Sequence, residues 1–237
     1  MREYGTMTHL PPPEEKARTV RAMFDRISPT YDRVNRLMTF GADQRWRLAL
    51  VERLAVSPAD TVLDLACGTG DFAELCRARG ALAVGLDFSR GMLERAAARS
   101  GETSAWVQGD ALRLPFRDGA FTVAVSGFAL RNFASIPPVL AELARVLEPG
   151  GRLGLLEVDR PRNPLISLGH RAYFERAVPV LGGLLADRDA YRYLPASAAY
   201  LPGEAEMVAM LREAGFHRIR KRRPMLGAIQ SITAERR

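Results

Sequence analysis

The sequence predicts an α/β fold: a doubly wound, mostly parallel seven-stranded sheet that finishes in an antiparallel hairpin and is preceded by helices. Three observations predict it. After Pro58, short apolar runs alternate with helical patterns, which forces a parallel sheet covered on both faces. The first such run ends in Cys67-Gly68-Thr69-Gly70-Asp71, a glycine turn of the kind that leads from a strand into a helix N-terminus beside a ligand. The last two runs are joined by Arg223-Pro224 alone, and a two-residue connection makes only an antiparallel pair.

The elements follow in order along one domain of 14–237, behind a loose tail of residues 1–13 that ends in Pro11-Pro12-Pro13. Ala17, Val20, Met23, Phe24 and Ile27 recur at intervals of three and four, so 14–27 is an amphipathic helix that stops at Ser28-Pro29. Helices over 31–38 and 43–54 complete an N-terminal cap, 14–57. Strands are predicted over 61–66, 81–86, 105–108, 121–126 and 152–158, with covering helices over 72–79, 91–99 and 136–147. A helix-rich insertion occupies 163–185, within a substrate-side segment reaching 200. A helix over 204–214, closed by Gly215, precedes strands 216–222 and 225–233.

Composition limits the alternatives. A chain of 237 residues with 47% hydrophobic and 26% charged residues can bury a sizeable core. Its longest apolar runs fall short of the ~20 residues that span a bilayer, and the N-terminus lacks the apolar core of a secretory signal, so a cytoplasmic protein is expected. Cys67 and Cys76 have no His or Cys partners at metal spacing, so reduced thiols and no metal site are expected. The net charge of +7 is carried almost wholly by arginine, Lys16 and Lys221 being the only lysines. The one concentrated run, Arg218 to Arg223, sits in a strand pattern and reads equally as a solvated sheet edge or an anion-binding surface.

The glycine loop carries the chemistry. Gly68 and Gly70 let the backbone approach a ligand where a Cβ would block it. With Ala73 they also satisfy the dinucleotide pattern, and Asp87 lies 19 residues after Gly68, near the distance of a ribose-binding acid. A pyrophosphate requires a helix N-terminus free of competing anions, yet Asp64 and Asp71 bracket the loop. Acidic flanks suit a cation, and S-adenosyl-L-methionine carries a sulfonium and an ammonium. This disfavours the rival reading, an NAD(P)-binding oxidoreductase. Asp87 ends the second strand, where its carboxylate can accept both ribose hydroxyls. Asp110 follows the third, within reach of the adenine amino group. Acids at the carboxyl ends of successive strands line the crevice where such sheets bind ligands.

The chain here resembles the ubiquinone/menaquinone biosynthesis C-methyltransferases. The resemblance covers roughly residues 18 to 233 and is carried by 24–35, 64–71, 87–93, 109–116, Leu130-Arg131-Asn132, 191–195 and 211–216. The Tyr31-Asp32-x-x-Asn35 and Leu130-Arg131-Asn132 segments are the most specific. It implies a Rossmann-like class I methyltransferase that moves a methyl group from S-adenosyl-L-methionine to a ring carbon of a polyprenylated quinol. A demethylmenaquinol is favoured over a benzoquinol. Cofactor contacts are implied at Thr69, Asp87, Phe88, Asp110 and Ala111, and at Ser126 and Gly127, the family often having Ser at position 127. On the substrate side Arg131 is the first candidate, as a guanidinium that stabilises a phenolate, with Tyr31 and Asn132 beside it and His170 and Tyr193 behind.

A polyprenyl tail lives in the bilayer, so peripheral contact with the inner face of the cell membrane is expected, with residues 163–185 as an apolar portal. A homodimer is left open. The motifs for methylating nucleic-acid bases, Asn/Asp-Pro-Pro-Tyr/Phe or a catalytic cysteine arrangement, are absent, so no nucleic-acid partner is expected.

Overall fold

The computed structural model describes residues 13–100, 105–172, 193 and 196–237. Helices α1 (Pro13–Ile27), α2 (Tyr31–Thr39) and α3 (Ala42–Arg53) lead into β1 (Thr61–Leu65), α4 (Asp71–Arg77), β2 (Leu82–Asp87), α5 (Arg90–Ser100), β3 (Ala105–Gln108) and β4 (Phe121–Gly127). There follow α6 (Ile136–Val146), β5 (Leu147–Val158), α7 (Pro164–Ala172), α8 (Glu204–Glu213), β6 (Phe216–Arg222) and β7 (Ile229–Arg236). The tail 1–12, most of the insertion beyond Ala172, and the side chain of His170 lie outside the described residues. No described helix is long and apolar enough to cross a membrane.

The strands form one seven-stranded sheet in the order β3-β2-β1-β4-β5-β7-β6. The pairs from β3 to β5 are parallel, whereas β7 runs antiparallel to both neighbours. The order reverses between β1 and β4, the switch point where such sheets open a crevice at their carboxyl edge. One face is covered by α6 and α8 around Leu63, Leu140, Leu143, Leu155 and Phe216. The other is covered by α3 and α4 around Leu50, Val51, Phe72 and Val123. A third cluster, Val20, Met23, Ile27, Val34 and Met92, seats the cap helices on α5. Val20, Met23 and Ile27 are among the apolar positions whose spacing predicted α1, and α6 places prolines in its first turn, where a missing N–H costs nothing.

Two boundaries depart from the sequence expectation. Strand β5 begins at Leu147, five residues before Arg152, because Leu147 pairs with Phe121 across an irregularity in the β4 ladder. The final hairpin has a longer turn than Arg223-Pro224, since β7 starts only at Ile229 after a 3₁₀ turn over Met225–Gly227. Met225, Leu226 and Gly227 all have positive φ, a conformation that costs on the order of 1 kcal/mol for each side-chain-bearing residue.

Two glycines serve an aromatic neighbour. A Cβ at Gly85 would sit 2.2 Å from the Trp106 ring, and one at Gly70 2.4 Å from it. The indole of β3 thus fills a niche left on β2 and in the β1–α4 loop, and its Nε1 donates to Ser100 Oγ at 3.1 Å. Gly85→Ala is expected to destabilise the fold by about 1–3 kcal/mol through overpacking. A second change, Trp106→Leu, should recover part of the loss, as measured by a double-mutant cycle in urea.

Candidate functional site

An open cavity lies at the carboxyl edge of the sheet, about 790 Å³ counting its mouth, within the size range of small-molecule sites. Its floor is made by the ends of adjacent strands: Ala66 and Gly68 after β1, Asp87 and Phe88 after β2, Gly127 to Ala129 after β4. Residues 109–112 form one wall, and Ala17, Phe24 and Tyr31 of the cap form the opposite one. Asn132 and Phe133 close the far end. Ala66 (φ 54) and Phe128 (φ 59) hold left-handed backbones at the ends of neighbouring strands, the kind of local strain that clusters at ligand sites.

Asp87 organises this floor. One carboxylate oxygen accepts the Ser89 N–H at 2.9 Å and the other the Gly68 N–H at 2.8 Å. The glycine loop is thereby tied to the end of β2. Burial pushes the Asp87 carboxyl up to about 6, against the lowering effect of these backbone donors. Each oxygen keeps acceptor capacity on the side that lines the cavity. Opposite, nothing lies closer than Tyr31 Cε1, at 4.0 Å, to the place a Gly68 side chain would occupy. Phe88, Ala111 and Leu112 line an apolar slot beside Asp87. Asp110 lines that slot while accepting the Leu112 N–H at 2.9 Å.

The cap is latched to this floor. Thr69 Oγ1 donates to Asp32 at 2.6 Å. Ser89 Oγ and the Gly91 N–H donate to Asp25 at 2.6 and 3.1 Å. Lys16, 3% exposed, donates to the Phe133 carbonyl at 2.8 Å and stands 3.6 Å over the Tyr200 ring. Burial brings its ammonium down to about 8. None of these three latches was legible as such, because each joins residues far apart in the chain.

Of the residues expected at the site, Tyr31, Gly68, Asp87, Phe88, Asp110, Ala111, Gly127 and Asn132 share the cavity, and five do not line it. Asp64, 1% exposed, points beneath the loop and accepts the Ala73 N–H at 2.9 Å, anchoring the start of α4. Burial raises its carboxyl to about 7. Asp71 is surrounded by Arg99 at 3.1 Å, Arg36 at 3.7 Å and Arg47 at 3.8 Å. Its carboxyl is lowered because these arginines outweigh desolvation. The expectation that acidic flanks present free negative charge to a cation is therefore corrected: both carboxylates are spent within the protein. Thr69 is turned to Asp32, Gly70 makes room for Trp106, and Ser126 donates to the Leu65 carbonyl at 2.8 Å. Even Gly127, which lines the cavity, is held by Phe72, whose ring would lie 2.6 Å from a Cβ there.

Arg131 is corrected most. It lies in the 3₁₀ turn Leu130–Asn132, 6% exposed, and forms a buried ion pair with Glu157 of β5. Glu157 also accepts the Val158 N–H at 2.9 Å. The guanidinium stands behind the cavity lining, not in it. Among the described residues, three buried polar atoms in this quarter lack a partner: Arg131 Nε, Asn132 Oδ1 and Tyr193 Oη. Buried polar groups are normally satisfied, and these three atoms, each cut off from solvent, are exceptions to that rule around the Asn132 end of the cavity. Tyr31 stands nearby, its hydroxyl held protonated as burial outweighs Arg47, Asn35 and Arg131.

A doubly wound sheet with an antiparallel seventh strand, and a buried acid tied to a glycine loop at its carboxyl edge, are the arrangement of an S-adenosyl-L-methionine-dependent methyltransferase. A family model described as the ubiE/COQ5 methyltransferase family matches residues 13–235, and the chain belongs to that family. It is 42% identical over 232 residues to a demethylmenaquinone methyltransferase of Roseiflexus castenholzii, covering 96% of this chain and 98% of the relative. It is 46% identical over 200 residues to the protein of that name from Thermus thermophilus, covering 82% and 91%. A ubiquinone/menaquinone biosynthesis C-methyltransferase UbiE of Syntrophotalea carbinolica is 41% identical over 207 residues, covering 85% and 87%.

Solved structures share the fold at lower identity. A Thermotoga maritima SAM-dependent methyltransferase superposes with a TM-score of 0.65 at 19% identity, over 92% of this chain and 100% of that one. The [4+2]-cyclase SpnF gives 0.66 at 18%, over 93% and 96%. One fold thus hosts different chemistries, and the site has to carry the functional argument.

With Asp87 as the acceptor for a ribose, ligand affinity is expected to depend on pH. Its acceptor capacity for ribose hydroxyls is full when ionised and is lost as pH falls through about 6. The dissociation constant for S-adenosylhomocysteine, followed by calorimetry, should be flat above neutrality and rise toward about tenfold per pH unit below that value.

Proposed function

We propose that this protein methylates a ring carbon of a polyprenylated quinol, with demethylmenaquinol as substrate and menaquinol as product. The observation that carries the reading is the far end of the cavity, where an apolar wall of Phe128, Ala129, Phe133 and Ala134 meets the unpartnered Asn132 Oδ1 and the Tyr31 hydroxyl. An apolar ring bearing hydroxyl groups matches that surface. The names of the relatives support the naphthoquinol over the benzoquinol.

When bound, S-adenosyl-L-methionine supplies an electrophilic methyl group on a sulfonium. Asp87, Gly68 and the 109–112 wall would hold its adenosine. The chain's own work is to orient and to desolvate. Asn132 Oδ1 accepts one quinol O–H. The Tyr31 hydroxyl, kept protonated by burial, donates to a ring oxygen and so stabilises negative charge as electron density moves to the attacking carbon. That carbon then gives up its ring proton to water at the open mouth of the cavity, the C–H electron pair restoring aromaticity. Arg131 acts from behind as the anchor of the 3₁₀ turn that aims Asn132, its charge largely balanced by Glu157. Because the polyprenyl tail partitions into lipid, the enzyme works at a membrane surface.

Two measurements test this reading. Purified protein with labelled methyl donor should convert reduced demethylmenaquinone to menaquinol by mass spectrometry, with slower turnover of the benzoquinol; transfer to neither would reject it. Arg131→Ala leaves Glu157 buried and unpaired and should cost about 3–5 kcal/mol of stability. The double variant Arg131→Met/Glu157→Leu should regain most of that stability. Residual activity in the stable double variant then reports the positioning role separately from folding.

A further inference from the structure

The basic run at 218–223 is not one surface. Arg218 is held by Glu235 at 2.8 Å. Lys221 and Arg223 are both held by Asp159, at 2.9 and 3.0 Å, and Arg223 also by Glu204 at 2.5 Å. These pairs root the end of β6 to the segment that leaves β5. Arg220 and Arg222 are exposed and have no acidic partner among the described residues. Their cross-strand partners are Thr233 and Ser231, the two side chains whose hydroxyls take up Arg53 of α3, so three guanidinium groups share one face. The Arg53 guanidinium is lowered by burial and then by Arg222 and Arg220, as expected of crowded like charges.

The turn that follows carries Met225 and Leu226, 55% and 74% exposed, in consecutive left-handed conformations where small or polar residues are usual. Exposing two large apolar side chains from a strained turn gives the isolated fold nothing. β6 runs in the same direction as β5, both being antiparallel to β7, so this turn projects from the carboxyl edge of the sheet, the edge that holds the cavity. Gly227 packs against Pro161, where a Cβ would lie 3.3 Å from its Cα. Three residues beyond that contact, α7 begins, exposing Leu165 (81%) and Leu168 on one side of the helix. Apolar side chains standing beside unpaired arginines are the pattern of surfaces that enter the headgroup layer of an anionic membrane.

We propose that Met225 and Leu226, with Leu165 and Leu168, form a docking surface for an anionic lipid bilayer, with Arg220 and Arg222 binding headgroup phosphates. This deepens the quinol reading and rests on it: the contact places the cavity edge against the phase that holds a polyprenyl tail.

Vesicle sedimentation of the full chain tests it, with phosphatidylcholine vesicles with and without phosphatidylglycerol. The wild type should bind only when the anionic lipid is present and release at high salt. Arg220→Gln/Arg222→Gln should weaken binding by roughly fivefold per arginine, and Met225→Ser/Leu226→Ser by about tenfold. Both variants should keep wild-type turnover on a tail-less quinol in solution and lose turnover on the polyprenyl quinol in vesicles. Failure of the wild type to bind anionic vesicles, or variants that bind as it does, would overturn the proposal. So would a dimer in light scattering that Met225→Ser/Leu226→Ser dissolves without affecting vesicle binding, which would assign the surface to a second copy of the chain. If vesicle binding follows the prediction and neither quinol is methylated, the docking surface stands and the substrate reading falls.

Discussion

The Asp87 carboxylate is the constraint on which the site depends. It stands at the end of β2, is almost fully buried, and is shared between two backbone N–H groups that fix the glycine loop on one side and the start of α5 on the other. Beside the Cys67 N–H to Leu86 carbonyl bond at 3.0 Å, it is the side-chain anchor that joins the loop after β1 to the wall after β2. The same group lines the cavity, so one side chain both ties the floor together and offers it an acceptor. The energetic cost is visible in the raised carboxyl, where backbone N–H donors offset only part of the desolvation.

Around this anchor the remaining charges are internal. Asp64 staples α4 from below, Asp71 gathers three arginines, Asp25 and Asp32 latch the cap, and Glu157 neutralises Arg131. The selectivity for a sulfur cation over a pyrophosphate therefore does not come from free acids flanking the loop. The described arginines near the loop, Arg36, Arg47 and Arg99, are themselves paired to carboxylates. The fold of the cyclase SpnF, close to this one, shows how little the sheet alone decides.

The sheet was legible because its signals are local. Alternating apolar runs placed every strand, and the two missed boundaries, at Leu147 and Ile229, arose from a ladder irregularity and a left-handed turn that periodicity does not register. The cavity was half legible. Asp87, Asp110, Tyr31 and Asn132 were found because a residue at a strand end or in a family motif has a predictable edge of the sheet. Gly70 misled because a glycine that admits a tryptophan ring looks the same in sequence as one that admits a ligand. Arg131 misled because its partner, Glu157, is 26 residues away on a neighbouring strand, and nothing in either segment announces the pair. Phe128 and Ala129 carried no signal beyond their place after β4.

The central claim is that, of the two buried acids at the ends of β1 and β2, only Asp87 meets the methyl donor. Calorimetry of S-adenosylhomocysteine binding to Asp64→Asn and Asp87→Asn at neutral pH tests it most directly. The account predicts near wild-type affinity for Asp64→Asn, whose amide oxygen still accepts the Ala73 N–H, and a loss of roughly tenfold to a hundredfold for Asp87→Asn. Equal losses in both, or an Asp87→Asn protein that binds like the wild type, would contradict it.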